Sequence, residues 1–161
     1  MKVTASGAVL AGAAALALSG AAAAAPGRTS GAVQLFSTHQ GNGDAAYDVV
    51  TGAITDYGNE MSVGRNAEKI ILKKGSFIVD TTKLNQNIKF KASRVGCSGA
   101  ASGSASSLRV SHGTGAYAGI TGSLTVHVRF NQIGKVVNGK CNLNKQIAGN
   151  GVVTATGHVS Y

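Results

Sequence analysis

The chain has 161 residues, with 15 Lys and Arg against 6 Asp and Glu, a formal net charge of +9 and no tryptophan. So few aromatic rings count against a stacking platform for single-stranded nucleic acid. The cationic surplus raises the local concentration of polyanions such as acidic wall polymers, anionic lipid heads or nucleic acid without selecting one, and the spread of basic residues from Arg28 to Lys145 is also that of an ordinary solvated surface.

Lys2, the uncharged stretch 8–18 and the small-residue run Ala21 to Ala25 read as an export signal, residues 1–25, cleaved just before Pro26. Its apolar core is too short for a comfortable membrane span, and no other span is present once it is removed. The mature domain then carries 14 basic and 6 acidic residues, a net +8. Residues 26–31 read as a short linker and 32–161 as one domain, of a size that supports a single hydrophobic core. The expected location is extracellular or at the cell wall. In an oxidising compartment the only two cysteines, Cys97 and Cys141, are most simply one disulfide. Closing a loop of that length contributes about 4 kcal/mol on the chain-entropy account.

Along the mature chain, short apolar or alternating runs are separated by Gly, Asn, Asp and Ser clusters, the punctuation of an all-β domain. The runs are 32–38, 47–55, 70–73, 76–80, 87–92, 107–111, 123–130, 136–138 and 151 to the terminus. In 123–130, Leu124, Val126, Val128 and Phe130 alternate with Thr125, His127 and Arg129, so one face is buried and the other wet. In 87–92, Ile88, Phe90 and Ala92 oppose Lys89 and Lys91. Residues 99–107 are nearly all Gly, Ala and Ser and read as a flexible loop or edge crossing. No mature segment offers twelve residues of helical period. Seven to nine strands in this length predict a barrel or sandwich, with turn spacing compatible with a meander; closure would also remove exposed edges.

His112 to Gly122 reads H-G-T-G-A-Y-A-G-I-T-G. A dinucleotide fingerprint needs a helix after its glycines, and here a strand follows, so the reading is a glycine-assisted turn. The pattern carried by Gly113, Gly115, Tyr117, Gly119 and Gly122 resembles the G-T-G-x-[YF]-x-G-x-x-G turn of the allene oxide cyclase-like and dirigent-like β-barrels. More closely, it is similar to a group of small exported actinobacterial proteins of that class. The segment 52–58, the run 72–79, the cysteines flanking the turn and the final strand ending at Tyr161 fit that group's layout from about Val33 onward. The resemblance implies a single antiparallel eight-stranded closed barrel with an apolar interior, in a superfamily whose better-known members guide cyclisation or radical coupling of apolar substrates, often as dimers or trimers. No segment aligns with the cyclases' buried glutamate and asparagine or with the dirigents' acidic and arginine pocket residues, so no catalytic position is carried over.

The remaining chemistry is sparse. His39, His112, His127 and His158 lack a metal-ligand spacing, no G-x-S-x-G elbow is present, and no cofactor or metal is implied. The near pairs Asp44/Asp48 and Asp56/Glu60 have the residue types for acid/base work, but turn chemistry explains Asp44 and Asp56 with no further assumption and is the preferred reading. A hollow barrel would be lined by Ile88, Phe90, Leu124, Val126, Val128 and Phe130. Three functions follow as expectations. The first is a non-catalytic exported barrel that binds a small apolar ligand or acts at the cell surface. The second is a cyclase- or isomerase-like enzyme, which needs a polar group inside the cavity from Tyr47, Tyr57, Tyr117, His127 or Glu60. The third is a cationic surface for wall polymer, anionic lipid or nucleic acid through Lys73, Lys74, Lys89, Lys91, Arg94 and Arg129.

Overall fold

A computed structural model describes residues 28–40, 45–93 and 95–161. The signal segment, the first two linker residues, Asp44 and Arg94 lie outside the described residues. The strands are β1 (Ser30–Gln40), β2 (Ala45–Gly52), β3 (Asp56–Ser62), β4 (Ala67–Leu72), β5 (Gly75–Asp80), β6 (Lys89–Ser93), β7 (Ser98–Gly115), β8 (Thr121–Val137) and β9 (Lys140–Ser160), with one short helix, α1 (Thr82–Asn87), before β6. β1 opens at Ser30, opposite Ser160, so two residues read as linker already belong to the sheet.

All pairings are antiparallel, in the order β5-β4-β3-β2-β1-β9-β8-β7-β6, and β5 also pairs with β7. That last pairing closes an eight-stranded barrel and leaves β6 as an extra strand on the lower half of β7. Around the barrel each strand neighbours the next, so the closed part is a meander, interrupted only where α1 and β6 carry the chain from β5 to β7. The edge strand β6 is exposed throughout, and its Lys89 and Lys91 discourage pairing with another chain.

Strand alternation builds the interior. Val33 and Leu35, Val50, Ile70 and Leu72, Phe77 and Val79, Leu108 and Val110, Leu124, Val126 and Val128, and Ala155 and Val159 are all buried in one cluster.

The glycine-, alanine- and serine-rich stretch 99–107 is not a loop; it lies within β7. Its small residues are needed because α1 and β6 fold back against this part of the strand. A Cβ at Gly99 would strike the Phe90 ring, and one at Gly103 would crowd Ile88 and the Asn87 carbonyl. Beyond the barrel, the long strands β7, β8 and β9 continue together, and the Cys97–Cys141 disulfide (Cα–Cα 5.2 Å) ties the approach to β7 to the start of β9 across β8. A disulfide accords with an oxidising setting. Among the described residues, no helix is long and apolar enough to cross a membrane.

One end of the barrel is plugged by the glycine turn between β7 and β8. Gly113 must lack a Cβ because one would collide with the Tyr117 carbonyl, and Gly115 has φ +60°, the left-handed region glycine enters without cost. This fold-back buries Tyr117, whose ring meets Phe77 and Tyr161 edge-on at 6.1 and 5.4 Å. Its hydroxyl donates to Asp56 Oδ2 at 2.6 Å, and Asp56 also accepts the backbone N–H groups of Tyr57 and Lys74, both at 2.9 Å. Burial works to raise the Asp56 pKa, but these three donors outweigh it and hold the carboxyl below its ordinary value.

The stabilisation from a depressed carboxyl pKa is complete above the unfolded value and disappears as pH falls through the lower folded one. Tyr117→Phe should therefore lose about 1–3 kcal/mol at neutral pH. The loss should shrink in acid, as measured by denaturant unfolding across the acid range.

Candidate functional site

The opposite end of the barrel is hollow. A cavity of about 330 Å³ lies under α1, walled by Leu35, Ile70, Val79, Leu124, Val126, Val128 and Ala155 and covered by Leu84 and Ile88. Asp80 helps set this cover in place, because its Oδ1 accepts the Thr82 N–H (2.9 Å) and hydroxyl (2.7 Å) at the start of the helix, and Leu84 is the buried residue α1 turns inward. Five of the six residues expected from the sequence to line a lumen do so: Ile88, Leu124, Val126, Val128 and Phe130. Phe90 does not. Its strand is outside the closed sheet, and the half-exposed ring lies over Gly99 in a neighbouring groove that also includes His39 and Phe130.

One side of the cavity is polar. Reading the inward phase of four successive strands gives Ser37 and His39 on β1, Asp48 on β2, Glu60 and Ser62 on β3, and Glu68 on β4. His39, Glu60, Ser62 and Glu68 line the cavity directly. His39 Nε2 and Glu60 Oε1 are 2.8 Å apart, the His39 ring packs edge-on against Phe130 at 5.5 Å, and Ser62 Oγ donates to Glu68 Oε1 at 2.7 Å. Ser37 and Asp48 face each other across β1 and β2, 0% and 1% exposed; apart from the approach of the Ser37 hydroxyl to Asp48, neither Ser37 Oγ nor either Asp48 carboxylate oxygen has a hydrogen-bond partner among the described residues. His39 Nδ1 is likewise without one. Gly58, opposite Asp48 on β3, puts no side chain into the space beside it.

The charges respond to this crowding. Burial, reinforced by the negative charge of Glu60, raises the Asp48 pKa to about 6, although the Ser37 hydroxyl nearby and His39 relieve part of the strain. Burial also raises Glu68, with Glu60 adding to the effect and the Ser62 hydroxyl opposing it. The hydrogen bond to Glu60 raises His39 despite its partial burial, and the surrounding carboxylates add to it, which favours an imidazolium–carboxylate pair.

The other polar candidates lie elsewhere. Tyr47, Tyr57 and His127 are exposed on the outer face, and Tyr117 belongs to the plug; Glu60 alone of the five faces the cavity. The carboxylates that converge come one from each of the near-sequence pairs, Asp48 and Glu60, with Glu68 added. For Asp48, Glu68 and His39 the signal was strand phase: Asp48 lies two residues from Val50, Glu68 two from Ile70, and His39 four from Leu35, each in step with a core residue.

The cationic residues do not form one surface. Lys89 and Arg129 lie in one register row through Ser102 and share an outer groove with His127, whereas Lys91 borders the neighbouring groove. Lys73 and Lys74 follow β4 at the plugged end, Lys73 over the Tyr57 ring and Lys74 Nζ within 3.4 Å of the Thr55 carbonyl. Among the described residues no group of His, Cys, Asp or Glu is arranged to hold a metal. No protein-family model, curated protein or solved structure matches the chain.

The raised Asp48 pKa sets a pH dependence of folding. Between the ordinary value of 3.8 and about 6 the native carboxyl keeps a proton that the unfolded chain has released, so stability falls as pH rises through that window. The fall should be on the order of 2 kcal/mol. Asp48→Asn, which cannot ionise, should lose this slope when unfolding free energy is measured from about pH 4 to pH 7.

Proposed function

We propose that this protein binds one small, largely apolar molecule inside the barrel, with the polar group of that molecule at the His39–Glu60 side of the cavity. The observation that carries the reading is the contrast between the two ends: aromatic side chains plug one, while the other keeps a cavity of about 330 Å³ with apolar walls and one polar side. That volume lies at the lower end of the range for small-molecule sites, and apolar walls with a few convergent polar groups are their usual make-up. The N-terminal segment, the disulfide and the resemblance to exported barrels of the allene oxide cyclase-like class support a location outside the cytoplasm.

A second reading, a cyclase- or isomerase-like enzyme, is favoured by one feature. Glu60 is paired with His39 at the edge of an apolar cavity, where a proton can be exchanged with a bound molecule under reduced solvation. The reading of the protein as a polyanion binder has less support, because its cations are divided between the two ends of the molecule.

Methyl-labelled NMR with cyclohexylmethanol as probe tests the binding reading. Saturable shifts are expected at Ile70, Leu124 and Val126, and Ala155→Phe, which fills the space from β9, should abolish them while preserving the β-sheet spectrum. Shifts confined to the outer grooves, or shifts that survive cavity filling, would contradict it.

A further inference from the structure

We infer that the molecule held in this cavity is an organic cation, a small hydrocarbon or aromatic body carrying a protonated amine, recognised by Glu60 and Glu68 with Asp48 behind them. This rests on the proposed ligand-binding reading and specifies the class of ligand. The first ground is the distribution of charge. The chain has 15 Lys and Arg against only 6 Asp and Glu, yet two of the six carboxylates, Glu60 and Glu68, line the polar side of one cavity with Asp48 buried behind them, and among the described residues no Lys or Arg lines it. The remaining described acids have local tasks: Asp56 holds the plug and Asp80 the start of α1. Among the described residues His39 is the one cation facing the cluster, and its Nε2 is engaged with Glu60. The other elements around the cavity contribute Val79, Leu84, Asn85, Phe130 and Val153, none of them charged. The pole therefore has more negative than positive charge, inside walls that keep the field from being screened.

The second ground is hydrogen-bond valence. Two polar side chains buried to more than nine-tenths, Ser37 and Asp48, lie in the inward phase behind the residues that line this pole; apart from the approach of the Ser37 hydroxyl to Asp48, neither has a hydrogen-bond partner among the described residues, and the Asp48 oxygens keep room to accept more. Glu68 receives one hydroxyl from Ser62, and Glu60 receives His39. Two donors are also open, the Ser37 hydroxyl and the Nδ1–H of a protonated His39, but the carboxylate oxygens outnumber them. An alkylammonium brings three N–H donors, no acceptor and one positive charge, whereas a carboxylate ligand would add acceptors and repulsion where both are already in excess. A neutral alcohol supplies a single donor and no charge. The apolar walls accept the rest of the molecule in all three cases, so the head group decides the preference.

The test compares three probes that share a ring and differ in the head group: cyclohexylmethanamine, cyclohexylmethanol and cyclohexanecarboxylate, titrated into the intact mature protein at neutral pH by calorimetry and methyl NMR. The amine should bind at least about tenfold more tightly than the alcohol, and the carboxylate most weakly. Glu68→Gln and Glu60→Gln should each reduce amine affinity by about tenfold, a clearly larger loss than the alcohol suffers. Asp48→Asn, the variant least disturbing to the fold because it removes a buried charge, should narrow the amine's advantage. Binding of the alcohol or carboxylate as tightly as the amine, or an amine preference unaffected by all three substitutions, overturns the inference and leaves the ligand-binding reading standing. Failure of all three probes to shift the cavity methyl groups overturns both.

Discussion

Closing a β-sheet commits every second side chain of eight strands to one enclosed interior, and that interior must be filled or lined. Here closure depends on the β5–β7 pairing, which the chain reaches only after building α1 and β6 outside the barrel. The two ends meet the constraint in different ways. At one, the glycine turn folds Tyr117 inward, and three aromatic rings occupy the space, with the Tyr117 hydroxyl held by Asp56. At the other, the helix lays Leu84 and Ile88 across the opening without reaching the floor. The space between them is the cavity.

The polar side of that cavity follows from the same alternation. A charged residue in the inward phase of a barrel strand has no route to bulk water along its own strand, so it must find a partner, shift its pKa or meet a ligand. His39 and Glu60 find each other. Asp48 does not, and its affinity for a proton rises accordingly. Groups in this condition are over-represented at binding and catalytic sites, because the free energy that burial withholds is returned when a complementary group arrives.

Strand alternation made the barrel class and four of its wall residues legible before any coordinates, since Leu124, Val126, Val128 and Phe130 keep strict period two. Ile88 was placed on the wall for the wrong reason: it is the residue after α1, not a strand position, and it reaches the cavity because the helix turns the chain across the opening. Phe90 and the stretch 99–107 misled in a linked way. Small residues in β7 looked too poor in side chains to form structure, when they were the groove into which Phe90 and Ile88 pack. That information is tertiary and no local rule contains it. The acidic pole was within reach, because its phase is written in each strand, but pairing carboxylates by sequence proximity joined Asp56 to Glu60 and hid the convergence of Asp48, Glu60 and Glu68 from three different strands.

The physical picture is of a basic protein that reserves its buried acidity for the inside of a barrel. A carboxyl-carbon NMR titration of the intact protein tests this most directly. Asp48 should titrate near pH 6, above the ordinary aspartate value of 3.8, while Asp56 should titrate below that value. An Asp48 that releases its proton at the ordinary value would mean that it is solvated and the interior open, and the account of the cavity would fail with it.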